Sequence, residues 1–172
     1  MDAEQLKLLQ TPLKDKYRLE PASALITLQA IGRAAEGISC KVQTGKALVE
    51  AGLHPATGGD GTLACSGDML LQALVACAGV TLRAVATAIG VDLRDATIRA
   101  EGDLDFRGTL GVSKDVPIGF KAIRLRFELD TSAPEEQQAT LIRLTERYCV
   151  VLQTLRLPPG ISVECKSIHT AT

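Results

Sequence analysis

The feature that most constrains the fold is an apolar stretch from Ser66 to about Ile89 that has the pattern of one long helix. Ser66 can cap its N-terminus, and Asp68 in the first turn suits the positive end of the helix dipole. At 100° per residue the polar stripe is narrow, so we expect this helix to be buried on most sides. Cys77 lies near its centre on the face opposite Asp68, and we expect it to point into the larger buried face.

Alternating apolar and polar residues on both sides of this helix predict β-strands. Three are expected before the helix and three after it, over residues 23–30, 38–44, 46–53, 96–106, 120–130 and 161–168. The short run Gly32–Gly37 is expected to be a turn. Strands that surround long helices in this order, without internal repeats, predict an α+β fold. We expect residues 1–22 to form an N-terminal helical arm, interrupted by Pro12, and residues 23–172 to form the folded domain.

A second helix is predicted after residue 131. Ser132-Ala-Pro-Glu135 is a capping-box signature with proline in the first turn. The helix is expected to bury Leu141, Leu144 and Tyr148. If it continues past residue 150, Cys149 lies at the flank of its apolar stripe.

Composition argues against several classes of function. The net charge is -1 and aromatic residues make up 3% of the chain, which does not favour nucleic-acid binding. The longest apolar run, about Ala73 to Leu82, is shorter than the roughly 20 residues of a membrane span. The N-terminus has no signal-peptide pattern, so we expect a cytoplasmic protein. With no CxxC spacing and two histidines, we expect no metal and no cofactor.

The chain has five cysteines, at positions 40, 65, 77, 149 and 165. In a reducing compartment they are not expected to form a structural disulfide framework. A buried cysteine is usually a packing residue, but Cys77 and Cys149 could form a redox couple if their helices bring them together. A peroxide-reactive thiol needs a cation that favours its thiolate and a second thiol that traps the sulfenic acid. Helical geometry suggests a protected Cys77 and a more mobile Cys149.

The run Asp68-x-Leu-Leu-x-Ala-Leu-x-Ala-Cys77, preceded by a Gly-rich loop, resembles the central helix of the OsmC/Ohr family of thiol-dependent hydroperoxide reductases. Cys149 in Glu-Arg-Tyr-Cys-Val-Val resembles the second cysteine of that family. Leu28-Gln-Ala-Ile-Gly-Arg33 is similar to the first hairpin, whose arginine contacts the reactive thiolate. The family usually has Glu at the position of Asp68 and often Pro at the position of Val150.

The resemblance implies a strand-swapped homodimer with antiparallel sheets wrapped around two central helices. It also implies reduction of organic hydroperoxides through a Cys77–Cys149 disulfide, with Arg33 and Asp68 as a supporting ion pair and Arg18 as a rival cation. An external dithiol, for example on a lipoyl protein, would restore the thiols. Two alternatives stay open: a non-catalytic protein of this fold that binds a small apolar ligand, and a cysteine acyl-transfer enzyme that uses Cys77 with His54.

Overall fold

The computed structural model describes residues 3–35, 39–42 and 51–166. It is a mixed α+β structure in which helices cover one face of a sheet. The helices are α1 (Ala3–Leu19), α2 (Ser66–Ile89), α3 (Phe106–Thr109), α4 (Glu135–Tyr148) and α5 (Val150–Arg156), and short 3₁₀ turns span Pro21–Ala24 and Pro55–Thr57. The strands are β1 (Leu25–Ala35), β2 (Ser39–Val42), β3 (Ala51–Gly52), β4 (Ala64–Cys65), β5 (Leu93–Asp105) and β6 (Ala122–Thr131).

The main sheet has the order β2-β1-β5-β6, and each neighbouring pair is antiparallel. Side chains alternate between the two faces of β5, so that Ala96, Ile98 and Ala100 are buried while Thr97 and Arg99 lie on the other side. The buried positions pack in one core with the inner face of α2. A parallel pair formed by β3 and β4 leads directly into α2.

The predicted bounds of α2 are confirmed at both ends. Gly90 follows Ile89 with a φ of 70°, in the left-handed region that suits glycine after a helix. Its fully buried residues share one face and include Leu71, Leu74 and Leu82. By length and composition α2 could cross a membrane, but here it is the central helix of the core.

The prediction that α2 is buried on most sides is wrong for the single chain. A second stripe on α2 is exposed and includes Leu70 (37%), Ala73 and Val80 (39%). Cys77 lies beside this stripe and is half-buried. The helical wheel indicates which residues share a face, whereas one sheet can cover one face only.

The N-terminal region also differs from prediction. Helix α1 continues through Pro12, whose side of the helix is exposed, so the lost backbone hydrogen bond does not break it. The helix is held to the domain by Tyr17, which is 2% exposed and donates a 2.7 Å hydrogen bond to the Ala56 carbonyl. Tyr17 packs with Phe106 and Leu110 in a second, smaller core.

The predicted strands are placed with several shifts. The expected turn at Gly32–Gly37 is wrong over residues 32–35, which continue β1. The predicted strand at 46–53 is described only at Ala51–Gly52, because residues 43–50 lie outside the described ranges. The predicted strand at 161–168 is wrong over residues 161–166, which are exposed and without regular secondary structure.

The arm contact generates a stability prediction. Tyr17→Phe removes the donor to the Ala56 carbonyl, and we expect it to lower the free energy of unfolding by about 0.5–1.5 kcal/mol. Urea unfolding measures this difference. The matched control is Tyr148→Phe, since Tyr148 is 56% exposed and its substitution should leave the midpoint unchanged. Equal effects of the two variants would contradict an integral role for α1.

Candidate functional site: a pair of thiols at a helix break

The side chains of Cys77 on α2 and Cys149 at the end of α4 are hydrogen-bonded to each other. Both belong to the main core cluster. They are 72 positions apart in the sequence, and the packing of α4 and α5 across α2 brings them together. Both thiols are free in the structure. The structure thus brings together the two cysteines that were predicted to form a redox couple.

Cys149 occupies a break between two helices. Its φ and ψ of -71° and 104° are extended, so α4 ends at Tyr148 and α5 begins at Val150. The Cys149 carbonyl accepts a 2.9 Å hydrogen bond from the Gln153 N–H. The Gln153 side chain in turn donates a 2.7 Å hydrogen bond to the Glu146 carbonyl. The break thus forms with valine and not proline at position 150, and Gln153 bonds to backbone carbonyls on both sides of it.

The break reverses the predicted exposure of the neighbouring side chains. Tyr148, expected to be buried, is 56% exposed, and Cys149, expected at the edge of the stripe, is fully buried. The prediction that Cys77 is the protected thiol of the two is therefore wrong, since Cys77 is the more exposed, whereas the mobility of Cys149 stays a prediction. A continuous helical wheel cannot describe residues on either side of an extended residue.

Burial raises the pKa of the Cys149 thiol to about 11, and the neighbouring Cys77 side chain adds to this increase. The N–H groups of Val151 and Leu152 act in the opposite direction, although neither makes a full capping hydrogen bond to the sulfur. At neutral pH Cys149 is therefore a protonated thiol. Its S–H can donate a hydrogen bond to the Cys77 sulfur.

Asp68 lies in the first turn of α2, nine positions before Cys77. At 1.5 Å per residue this is roughly 13 Å along the helix axis, and the two positions lie on opposite faces. Burial raises the pKa of Asp68, and the nearby charge of His54 partly offsets this. His54 is held by the Ala56 N–H, which donates to its Nδ1 atom at 3.0 Å, and by stacking on Phe106 at 4.9 Å. Asp68 therefore does not contact Cys77 directly, and a role in the thiol chemistry requires a group that reaches between them.

Two arginines, Arg33 and Arg18, were predicted as the cation that favours the Cys77 thiolate, and the structure describes the side chain of Arg18 only. Arg33 lies in β1, with its backbone paired opposite Thr97 and Lys41, but its side chain is outside the described residues. Arg18 forms an exposed ion pair with Asp15 at 2.7 Å on α1. Among the described side chains, Cys149 is a hydrogen-bond partner of Cys77.

Two cavities lie between β6 and the C-terminal helices. The inner cavity, of about 370 Å³, is lined by α2, β6 and α5, including Leu74, Leu152 and Leu155. The outer cavity, of about 530 Å³, is lined by β6 and α4, including Leu129 and Ile142. The outer cavity is larger, and the lining of the inner one includes Leu74 and Leu152, which lie three positions from Cys77 and Cys149 in the sequence. Sequence patterns did not single out these leucines, since they read as ordinary core residues.

The other cysteines have no comparable setting in the described structure. Cys65 is half-buried at the residue before α2, and Cys165 is exposed in the C-terminal segment. The side chain of Cys40 lies outside the described residues. No group of three or more metal-ligating side chains occurs in the part of the chain that the structure describes.

The family model for OsmC-like proteins matches residues 59–164 of this chain. The chain belongs to the OsmC-like family. The matched residues include both thiols and the elements that carry them, from the Gly-rich loop to the C-terminal segment. No curated protein sequence gives a significant match.

Two solved structures of OsmC-like proteins share the fold. One is an OsmC-like hydroperoxide resistance protein from Jannaschia sp. CCS1, with 20% identity and a TM-score of 0.61, covering 86% of this chain and 97% of that one. The other is an OsmC-like protein from Mycoplasma pneumoniae, with 16% identity and a TM-score of 0.55, covering 78% of this chain and 86% of that one. At these identities the likeness establishes the architecture.

The contact between the two thiols predicts that Cys149 loses its proton at an unusually high pH. The difference in thiolate absorbance near 240 nm between wild type and Cys149→Ser should have its midpoint near pH 11. In a Cys77→Ser background, the same Cys149→Ser difference should shift to lower pH, because the Cys77 side chain contributes to the raised pKa. A midpoint at the ordinary value of 9.0 would contradict the buried contact.

The same thiol makes stability depend on alkaline pH. Between pH 9 and about 11 the folded state keeps the Cys149 proton while the unfolded state releases it. The unfolded state then binds fewer protons, so the stabilising contribution, complete below pH 9, is lost as the pH rises through 11. We expect the wild type to lose more stability than Cys149→Ala over this range. Urea unfolding at a series of pH values measures the difference, and parallel curves would contradict it.

Proposed function

We propose that this OsmC-like protein is a thiol-dependent peroxidase that reduces organic hydroperoxides to alcohols through a Cys77–Cys149 disulfide. The observation that carries the proposal is the hydrogen bond between the two thiols. The family assignment supports it, and one structural neighbour is called a hydroperoxide resistance protein. Cys77 is the attacking thiol because it is half-exposed, whereas Cys149 is fully buried and protonated.

The proposed cycle balances with one hydroperoxide and one dithiol. The Cys77 thiolate attacks the terminal peroxide oxygen, the O–O bond breaks, and the alkoxide takes a proton and leaves as the alcohol. Cys149 then attacks the sulfur of the Cys77 sulfenic acid, forming the S–S bond and releasing water. An external dithiol, on a lipoyl protein or another carrier, reduces the disulfide and is itself oxidised. A reducing cytoplasm would supply such dithiols.

Activation of Cys77 in this proposal depends on a hydrogen bond from Cys149 and on a cation. We keep Arg33 in the cationic role, with Asp68 as its supporting carboxylate, as the resemblance implies. Arg18 is less suitable, because its described contact is with Asp15 on the exposed surface of α1. Arg33→Met would then slow peroxide attack, while Arg18→Met would not.

The arrangement of the described residues supports the acyl-transfer alternative less well than the peroxidase proposal. A general base must come within hydrogen-bond reach of the nucleophile. Burial raises the pKa of Asp68 and the charge of His54 partly offsets this, so His54 lies near a residue that is roughly 13 Å along α2 from Cys77. The apolar-ligand alternative shares the inner cavity with the peroxidase proposal, so reactivity of the thiols distinguishes the two.

The peroxidase proposal predicts a defined oxidation product. One equivalent of cumene hydroperoxide should yield a Cys77–Cys149 disulfide by mass spectrometry, and dithiothreitol should support turnover. Cys77→Ser should abolish turnover, whereas Cys149→Ser should leave a sulfenic acid on Cys77 that dimedone traps. Cys165→Ser is the matched control and should retain activity. Failure to consume the peroxide, or a disulfide between other cysteines, would refute the proposal.

We also propose that the protein is a homodimer, in which the exposed stripe of α2 packs against its copy between the two sheets. Leu70, Ala73 and Val80 leave apolar surface uncovered on this helix. Strand exchange has candidate surfaces too: β6 pairs on one side only in the described sheet, and Ile161 and Val163 are 85% and 90% exposed.

The dimer proposal predicts that Val80→Glu shifts the mass measured by size-exclusion chromatography with light scattering from dimer to monomer. A charge buried without a partner opposes association. The control is Ile118→Glu, because Ile118 is 70% exposed in the loop before β6 and its variant should remain dimeric. A wild-type chain that is monomeric at micromolar concentration would rule the proposal out.

A further inference from the structure

The side chain of Gln153 crosses the break between α4 and α5. Its amide donates a 2.7 Å hydrogen bond to the carbonyl of Glu146, in the last turn of α4. In an uninterrupted helix the Val150 N–H would donate to that carbonyl. Because Cys149 is extended, an amide seven positions after Glu146 supplies the donor instead. This hydrogen bond is therefore specific to the broken form of the segment.

The broken form and a continuous helix place two neighbouring side chains differently. In the observed broken form Cys149 is fully buried and Tyr148 is exposed. A continuous helix would carry Cys149 to the flank of the apolar stripe and turn Tyr148 inward. The two valines that follow Cys149 disfavour a helix only slightly. The contact between Cys149 and Cys77 thus depends on interactions that keep the segment broken.

Gln153 bonds to the chain on both sides of the break. Its backbone N–H donates to the Cys149 carbonyl at 2.9 Å, at the start of α5, while its side chain holds the end of α4. Arg156 adds a 3.0 Å ion pair with the Glu146 carboxylate. Both members of that pair are exposed, and exposed ion pairs contribute little to stability. The half-buried amide of Gln153 is therefore the stronger of these two side-chain contacts between the helices.

We propose that Gln153 is a positioning residue whose amide keeps α4 and α5 separate and so holds the Cys149 sulfur against Cys77 when the disulfide forms. The inference rests on the proposed peroxidase function. In that step the Cys149 sulfur attacks the sulfur of the Cys77 sulfenic acid. The S–S bond forms, the S–O bond breaks, and the thiol proton leaves with the hydroxyl group as water. Gln153 exchanges no atom or electron and acts through the position of Cys149.

Two glutamines provide a matched pair of variants. Gln153→Met removes the amide donor and keeps a side chain of similar length. The control is Gln138→Met, because the Gln138 amide also donates a 2.7 Å hydrogen bond to a backbone carbonyl, that of Ala133 at the other end of α4. If Gln153→Met does not fold, Gln153→Asn replaces it, since the shorter side chain moves the amide away from the Glu146 carbonyl.

The measurement is a competition for the sulfenic acid. After one equivalent of cumene hydroperoxide, dimedone at a fixed concentration competes with Cys149 for the sulfenic acid on Cys77. Mass spectrometry gives the ratio of dimedone adduct to Cys77–Cys149 disulfide. This ratio measures the disulfide-forming step and does not depend on how fast the peroxide reacts.

Gln153→Met should raise the ratio of adduct to disulfide by about tenfold, because small displacements of reacting atoms cause large losses of rate. Gln138→Met should leave the ratio unchanged. Val150→Pro added to Gln153→Met should restore the ratio of the wild type. Proline favours an extended residue before it and fits the first position of a helix. A substitution that merely loosened the fold would not be rescued in this way.

Titration of Cys149 tests the same positioning without peroxide. Burial raises the pKa of this thiol to about 11. Gln153→Met should therefore lower the midpoint of its thiolate absorbance toward the ordinary value of 9.0, and the added Val150→Pro should raise it again.

Three outcomes would overturn the inference while the peroxidase proposal stands: an unchanged ratio in Gln153→Met, an equal rise in Gln138→Met, or no rescue by Val150→Pro. If the wild type consumes no peroxide, or forms no disulfide between its two buried thiols, the proposed function itself fails. The titration then decides alone whether Gln153 positions Cys149. The two experiments thus separate failure of the positioning role from failure of the activity.

Discussion

The packing of α2 against one face of the sheet is the constraint on which the rest of the structure depends. Leu71, Leu74 and Leu82 are fully buried on this helix. The alanines at positions 96 and 100 leave room for the helix to approach β5 closely. Once α2 is fixed, Cys77 has a fixed position, and α4 and α5 can cover the helix from the side. The thiol pair is thus a product of nonpolar packing, which is not directional by itself.

At one residue, Cys149, the backbone conformation places a reactive group inside this packing. An extended conformation there ends α4 and turns its side chain into the core. Burial then raises the pKa of this thiol, so it retains its proton and can act as a hydrogen-bond donor. A proline at position 150 would favour the same break by fixing its own φ. In this chain the backbone and side chain of Gln153 supply the hydrogen bonds that stabilise it.

The sequence allowed accurate prediction where local physics decides the structure. Asp68 in the first turn and the glycine at 90 mark the two ends of α2, although Cys65 and not the predicted Ser66 occupies the N-cap position, and alternation identifies β5 and β6 to within three residues at each end. It did not reveal which face of α2 meets the sheet, because that depends on residues far along the chain. It also missed the break at Cys149, since Val150 and Val151 are weak helix formers but do not by themselves end a helix. The pairing of the two cysteines was suggested by the family resemblance and not by their spacing.

Burial raises the pKa of Asp68, the acidic residue in the first turn of α2. Among the described side chains, His54 is the one whose charge acts on it, and His54 is positioned by the turn that Tyr17 anchors. Helix α1 thus helps to position the groups at the N-terminal end of α2, whereas α5 packs near the thiol at the centre of α2. Asp68 and Cys77 are roughly 13 Å apart along α2. Protonation of Asp68 can therefore affect the stability of α2 without passing a proton to Cys77. In the proposed cycle, the protonated Cys149 thiol is the neighbouring group that can give a proton to the leaving alkoxide.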